Sequence, residues 1–568
     1  MRLFGLFVIS VFALILIGST NSGLDNPDKD KLLIELITYV MEKGHYDPKE
    51  IDDTFSERVF DNYIHGIDGQ HRFFLQSDIN NFKRYADEID DQIRNADVSF
   101  FNLTYDRLIV RMGQVKQFYE ELLVEPFDFR LKDSINLNFE ELPYARTLNS
   151  LKDLWRKRFK LSTLEYFSDL VNQEKLEEEK DSTYQIKSKI VLEEEARSKT
   201  RENIESYFEI FDEVDRKDWF SIYINAITLE FDPHSNYFAP DEKEKFDQNI
   251  SGKFEGIGAR LQKKDQEVKI VEVIVGGPVW KAKALEVGDI ILKVAQKGED
   301  GVEIGPMRLS DAVKLIKGPK DTLVRLEIKP ELTPSTTKIV RIIRDKVKLT
   351  SNLATASVHK INNSQTERKL GVIELRSFYG SSGTGPKATD DVEELILKLK
   401  SENTEGLILD LRRNGGGYLS EAVSMAGLFI SRGPVVQVKS TDGKIRKKFD
   451  FNPKLTWSGP LIILVSRYSA SASEIVAGAL QNHRRALIVG DKTTHGKGTV
   501  QSLIQMNLPF NYNIVNGKKS AAKITIQKYY LPSGESTQIQ GVKSDISMPS
   551  INHYLPIGES DLENSLIF

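Results

Sequence analysis

The chain contains no cysteine. This excludes a cysteine nucleophile, a thiolate zinc site and any disulfide. It also suits an oxidising compartment, where a stray thiol is a liability. Histidine is sparse: the eight residues are scattered and form no H-E-x-x-H, so no metal site is expected, nor any cofactor. Neither sign of charge dominates. The 78 basic and 83 acidic residues leave a net charge of −5, which argues against nucleic acid as a partner. Beyond Gly18 no apolar run is long enough to cross a membrane.

At 568 residues, with 40% hydrophobic and 28% charged, the chain can hold about two to four ordinary domains. It opens with Arg2, an apolar run from Leu3 to Gly18 and the small residues Ser19-Thr20-Asn21-Ser22-Gly23. That pattern predicts a secretory signal peptide over residues 1–22, with an uncleaved anchor as the alternative and the one expected link to a membrane. No cysteine follows the run, so lipid attachment there is excluded.

Residues 26 to about 230 mix charged and apolar positions at spacings of three and four, as in Lys31-Leu32-Leu33-Ile34-Glu35-Leu36, and predict helices. The Glu- and Lys-rich stretch from Lys175 to Glu205 reads as a solvated helix face. The character changes near Phe231, where Asp232-Pro233-His234-Ser235 reads as a turn. Short β-branched runs follow at 269–274, 289–294 and 323–328, with a helical pattern from Ser310 to Ile316. After about residue 335, expected strands at 371–377, 406–411, 461–465 and 486–490 alternate with expected helices at 390–400, 419–428 and 474–481. That alternation predicts an α/β domain with a largely parallel sheet, whose sites lie at strand-to-helix turns.

Two such turns carry chemistry. Ser469, Ser471 and Ser473 alternate with alanine at the mouth of a helix, and Lys497 stands between Gly496 and Gly498. A serine hydroxyl needs a group to take its proton, and a lysine does so only when burial lowers its pKa from about 10.4. Asn414-Gly415-Gly416-Gly417 offers unhindered N–H groups beside a helix start, suited to a developing oxyanion. Histidine bases are the alternative. His483 lies in a polar stretch and is expected in solvent; His495, two residues before Lys497, is the weaker rival to that lysine. A G-x-S-x-G elbow is absent. A phosphate loop fails twice, because Gly490 and Gly496 enclose five residues and Gly498 stands where Ser or Thr is needed. Gly380 to Gly385 reads as a loop.

At these residues the chain resembles the C-terminal processing peptidases, or tail-specific proteases. The matching motifs are Leu75-Gln76-Ser77-Asp78-Ile79, Phe231-Asp232-Pro233-His234-Ser235, Phe254 to Ala259, Gly276-Gly277-Pro278 with Val287-Gly288-Asp289, Asp410 to Gly417, the serine cluster, Gly496 to Gln501, and Ser536-Thr537-Gln538. The resemblance implies an α+β multidomain protein. Its parts would be a helical domain over 23–230, a PDZ module over 250–333 and an α/β core of ClpP/crotonase-like type over 231–249 and 334–548. Residues 549–568 would be a short tail. It implies Ser471 as nucleophile, Lys497 as general base and Gln501 as the residue that orients the lysine. The oxyanion donors would be the N–H of Ala472 and of a glycine among Gly415, Gly416 and Gly417. Phe254, Gly256, Ile257, Gly258 and Ala259 would receive a substrate's terminal carboxylate while the peptide adds a strand. The segment Asp491 to His495 carries one residue more than is usual in the family, and Asn482 stands where some relatives have an acid. Relatives continue past Ser536-Thr537-Gln538 into a further helical region; either that region is missing from this chain or the sequence is incomplete.

The expected function is that of an exported, periplasmic serine endopeptidase. It would grip protein substrates by their free C-termini and cleave them through an acyl-enzyme; an adaptor protein is an open question. Two rivals stand beside it. One is an inactive PDZ scaffold, disfavoured by the intact serine and lysine; the other is an apolar-ligand-binding relative, disfavoured by the PDZ module.

Overall fold

The computed structural model describes residues 27–139, 142–181, 183–264, 266–333, 335–349, 353–363, 366–380, 386–506 and 520–568. The signal-peptide expectation and most of the 380–385 loop therefore lie outside the described residues. No helix among the described residues is long and apolar enough to cross a membrane.

From Pro27 to Phe231 the chain is helical. Helix Asp53–Asp68 shows why: the Asp52 carboxylate caps it by accepting from Phe55 N, and Phe55, Val59, Phe60, Tyr63, Ile64 and Ile67 bury one face. Helices Leu148–Lys180 and Lys189–Asp212 pack on each other, so the Glu- and Lys-rich stretch is two helices broken by a turn. After helix Arg216–Phe231, strand β1 (Asn236–Phe238) already belongs to the catalytic half, and helix Pro240–Ser251 leads on to β2 (Lys253–Gly256).

The β-rich module follows, with β3 (Ala259–Lys264), β4 (Glu267–Val273), β5 (Ile290–Gln296), β6 (Val302–Glu303), β7 (Leu323–Lys329) and β8 (Lys338–Ile343). Its sheet order is β3-β4-β5-β7-β8, with β6 on β5, so β3 is an edge strand. Helix Leu309–Ile316 packs near β3 and closes a separate apolar core around Val268, Ile270, Val294 and Leu326. This module is tied to the helical region by charge, Arg308 bonding Asp215 and Asp218, and to helix Pro240–Ser251 by Lys314, 2.9 Å from Asp241. Strand β9 (Asp345–Lys348) pairs with β2 outside the module sheet.

The rest of the chain builds β10 (Thr355–Asn363), β11 (Thr366–Glu374), β12 (Gly406–Asp410), β13 (Pro434–Ser440), β14 (Ile445–Phe449), β15 (Leu461–Val465), β16 (Leu487–Gly490), β17 (Thr499–Met506), β18 (Ser520–Tyr530) and β19 (Ile546–Ser547). One sheet runs β10-β11-β12-β15-β16-β19 and is parallel except for β10 against β11. Helices Ala388–Ser401, Leu419–Gly427 and Ala472–Asn482 connect its strands, as βα alternation requires. The second sheet is antiparallel, in the order β1-β18-β13-β14 with β17 also on β18, and the sequence pattern did not announce it. Its strand β18 joins the two halves: Ala522 and Ile524, with Met506 of β17, sit in the core of the helical region. The amide of Tyr46 donates to Thr525 O at 2.7 Å across that seam.

Candidate active site

Strand β15 ends at Val465, and six residues later Ser471 caps helix Ala472–Asn482 with φ 57° and ψ −112°. A side-chain-bearing residue rarely occupies this region, and such strain gathers at functional turns. The turn is held by its neighbours. Ser469 Oγ donates to Leu411 O at 2.7 Å, and Ser473 Oγ donates to Asn414 O at 2.8 Å. Both of these serines are fully buried, whereas Ser471 keeps exposed surface.

The glycine turn faces it. A Cβ on Gly416 would lie 2.9 Å from Ser471 Cβ and 3.3 Å from Ala472 N, and Gly416 has φ 112°, so only glycine fits. The buried Asn414 shapes this turn: its Nδ2 donates to Leu375 O, and its Oδ1 accepts the Gly416 N–H at 2.9 Å. Gly416 is thereby removed from the expected oxyanion donors. The N–H groups of Gly415 and Gly417 find no acceptor among the described residues. The N–H of Ala472, in the first helical turn, has no partner within its helix.

Glu474 joins serine to lysine, and sequence reasoning passed over it. Fully buried, it accepts from Ser471 N at 2.7 Å and Lys497 N at 3.0 Å on Oε2, and from Gly496 N at 2.8 Å and Thr494 Oγ1 at 2.6 Å on Oε1. Burial raises its pKa to about 7 against the pull of those donors. Its signal was a glutamate three residues into a helix, the spacing that reaches back to the N-cap amide. Tyr529, also unanticipated, sends its hydroxyl to the carbonyls of Ser471 and Lys497.

Lys497 is half-buried by surface, yet protein surrounds its ammonium closely enough that burial lowers its pKa to about 8. Lys523 adds to the lowering, while Glu559, Asp232 and Glu474 oppose it. Its carbonyl accepts from Thr537 Oγ1 at 2.9 Å. Gln501 lies four residues on in β17, where its Nε2 donates to Thr499 Oγ1 and Thr525 Oγ1 at 2.9 and 3.1 Å. Thr525 in turn donates to Asp232 at 3.0 Å. Burial acts to raise Asp232, but His45, Ser235 and the His234 amide outweigh it and hold the carboxyl at about 2. His45 Nε2 lies 2.6 Å from Asp232 with both side chains out of solvent, so the helical region reaches the floor of the site.

The two rival histidines differ in placement. His483, expected in solvent, is half-buried, because Nε2 lies 2.9 Å from Pro434 O at the helix end. His495 stands on the lysine loop with its pKa lowered chiefly by burial; its Nδ1 has no hydrogen-bond partner among the described residues and lies 3.7 Å from Glu559 Oε2. Asn482 Oδ1 accepts from Ser533 N.

The residues expected to receive a carboxylate are divided between two strands and a turn. Phe254 and Gly256 lie in β2, Ile257 and Gly258 form the turn, and Ala259 opens the edge strand β3. The turn is rigid: Val279 N donates to Ile257 O and Ile274 N to Gly258 O, and the Ile257 side chain is buried in the module core.

Comparisons with known proteins agree with this layout. Residues 37–241 match the tail specific protease N-terminal domain, residues 247–329 a PDZ domain, and residues 369–548 peptidase family S41. The tail-specific protease of Haemophilus influenzae is 35% identical over 540 residues, spanning 95% of this chain and 73% of that protein. The carboxy-terminal-processing protease of Bartonella bacilliformis is 31% identical over 350 residues, 60% of this chain and 74% of that one. Among solved structures, the photosystem II D1 C-terminal processing protease is 27% identical, with a TM-score of 0.32, over 59% of this chain and 83% of the other. The matched segments define a serine-type peptidase with a helical N-terminal region and a PDZ domain. Within that class, the chain belongs to the tail-specific, or carboxy-terminal processing, protease family.

Proposed function

We propose that the protein is an exported endopeptidase that recognises C-terminal tails through its PDZ domain and hydrolyses peptide bonds with a Ser471–Lys497 dyad. Neutral Lys497 Nζ takes the proton of Ser471 Oγ as the oxygen attacks the substrate carbonyl carbon. The carbonyl oxygen becomes an oxyanion, received by the amide of Ala472 and those of Gly415 or Gly417. The C–N bond breaks, Lys497 returns the proton to the leaving amine, and an acyl-enzyme remains. Water, deprotonated by Lys497, releases the acid and restores the serine. Gln501, four residues after Lys497 on β17, is held by Thr499 and Thr525.

The observation that carries this reading is Glu474, one buried carboxylate that binds the amides of both Ser471 and Lys497. A lysine pKa of about 8 leaves a usable neutral fraction near neutral pH. The edge strand β3 beside helix Leu309–Ile316 supports tail binding by strand addition. The apolar run from Leu3 to Gly18 supports export to the periplasm. The test is digestion of a tailed peptide by the wild type and by Ser471→Ala, with mass spectrometry of quenched enzyme. A serine-linked acyl adduct in the wild type and none in the variant is expected. Undiminished cleavage by Ser471→Ala would sink the reading.

A further inference from the structure

The three matched segments stop at residue 548, and the last twenty residues read as a tail. Yet one of the buried carboxylates near the lysine comes from that tail. Glu559 opens a short 3-10 turn and is fully buried. We propose that Glu559 is a positioning residue of the site, and that the C-terminal segment supplies the wall against which the lysine loop is set. The proposal rests on the dyad reading above.

The loop from His495 to Gly498 is gripped from two sides. On one side, Glu474 takes the N–H groups of Gly496 and Lys497. On the other, the Gly498 N–H donates to Gln538 Oε1 at 2.6 Å, and Gln538 Nε2 donates to Glu559 Oε1 at 2.8 Å. Three successive amides thus end on a carboxylate or on an amide that a carboxylate holds. Glu559 also donates its own N–H to His495 O at 3.0 Å, and its carboxylate meets His234 Nε2 at 3.0 and 2.8 Å. That contact brings in the turn after helix Arg216–Phe231, so one group joins the tail, the lysine loop and the Asp232–Ser235 turn. The Gln538 amide has no freedom to reverse: its oxygen must face Gly498 and its nitrogen must face Glu559.

The segment is anchored closely enough to do this. Asn564 Nδ2 donates to Glu230 Oε2 at 3.0 Å, Asn552 Nδ2 donates to Asp491 Oδ2 at 2.9 Å, and Ser565 Oγ donates to Glu559 O at 2.7 Å. A Cβ at Gly558 would lie 1.8 Å from Arg467 Nη2, so the chain touches the loop that leads into Ser471.

Glu559 is one of several charges around Lys497. The others are Lys523 on β18, Glu474 on helix Ala472–Asn482, Asp232 and His234 on the turn, and His495 on the lysine loop. Among these, Glu559 favours the protonated lysine. Its removal therefore has two separable consequences: the loop loses its second grip, and neutral lysine becomes easier to form.

The experiment is Glu559→Gln in the full chain, assayed on a tailed peptide across pH, with Ser471→Ala and Lys497→Arg alongside. Since small misplacements at a site cost up to about a hundred-fold, kcat should fall by roughly ten-fold or more with KM nearly unchanged. The acid limb of the kcat profile should move to lower pH, and Glu559→Asp should recover part of the rate. A merely structural role would lower the melting temperature and the active fraction but leave the acid limb where it was. If Glu559→Gln does not fold, Gln538→Leu cuts the bridge to Gly498 and carries the same kcat test. Wild-type kcat and an unmoved acid limb in a folded variant would overturn the proposal. Activity in Ser471→Ala would instead overturn the dyad reading, whatever Glu559→Gln does.

Discussion

The proposed Ser471–Lys497 centre and the edge of the PDZ domain treat their backbone in opposite ways. Around Ser471 and Lys497 the amides of Ser471, Gly496, Lys497 and Gly498 all have acceptors, three of them on Glu474, which also takes a threonine hydroxyl, while Gly415 and Gly417 keep theirs open among the described residues. Along β3 one edge is left without a neighbouring strand among the described residues. Chemistry needs reacting atoms held within a fraction of an ångström, so its hydrogen bonds are spent internally. Recognition by strand addition needs donors and acceptors kept in reserve, so its hydrogen bonds are left for the ligand. The burial that fixes the first site also shifts Lys497 and Glu474 from their usual ranges.

If this contrast is right, the largest effects come from the closed site. Ser471→Ala and Lys497→Arg should each lower kcat about a thousand-fold or more without unfolding, since a dyad acts as a unit and guanidinium does not deprotonate. A Lys497→Arg enzyme with wild-type turnover would move the base to His495 and dissolve the contrast. Next comes Glu474→Gln. An amide cannot accept from all four donors, and kcat should drop by about a hundred-fold, given what loss of alignment costs. Unchanged kcat would mean that the turn holds itself.

The open site should respond more gently. Amidating the C-terminus of a peptide removes a charge-assisted hydrogen bond of roughly 1.5–3 kcal/mol, which slows cleavage at low substrate by about ten-fold or more. Equal rates for free and amidated peptides would show that β3 and its turn do not read the tail. The smallest effect is on stability. With Lys497 at about 8 folded and 10.5 unfolded, the unfolded chain binds more protons between those values, so stability rises with pH there. Activity itself should fall as pH drops through about 8. Lys497→Met should abolish activity, raise the melting temperature near neutral pH and flatten the rise of stability between pH 8 and 10.5. A melting temperature lower than wild type at pH 7 would show that the lysine is not held at a cost.

Much of this was legible in the residues. The helical first half, the small β module and the alternating α/β stretch followed from apolar spacings of 3.6 and 2, because burial of one face is a local pattern. Ser471, Lys497 and the glycine turn stood out because small residues around a nucleophile or a lysine have a steric reason. Glu474, Asp232 and Glu559 were within view, but an acidic residue in a sequence looks the same whether it faces water or a buried amide. The second sheet was missed because β17 and β18 draw their pairing from each other, from β1 almost 300 residues upstream and from the helical core beneath.

By itself, then, the sequence determined the elements, their order and the side chains able to carry the reaction, since these depend on local spacing and on residue chemistry. Only the tertiary structure decided which carboxylates lie next to Lys497, which glycine amide Asn414 withdraws, and that the final segment returns to the site. Those outcomes depend on distances between residues far apart in the chain. Burial then converts those distances into hydrogen bonds and shifted proton affinities, which no local pattern encodes.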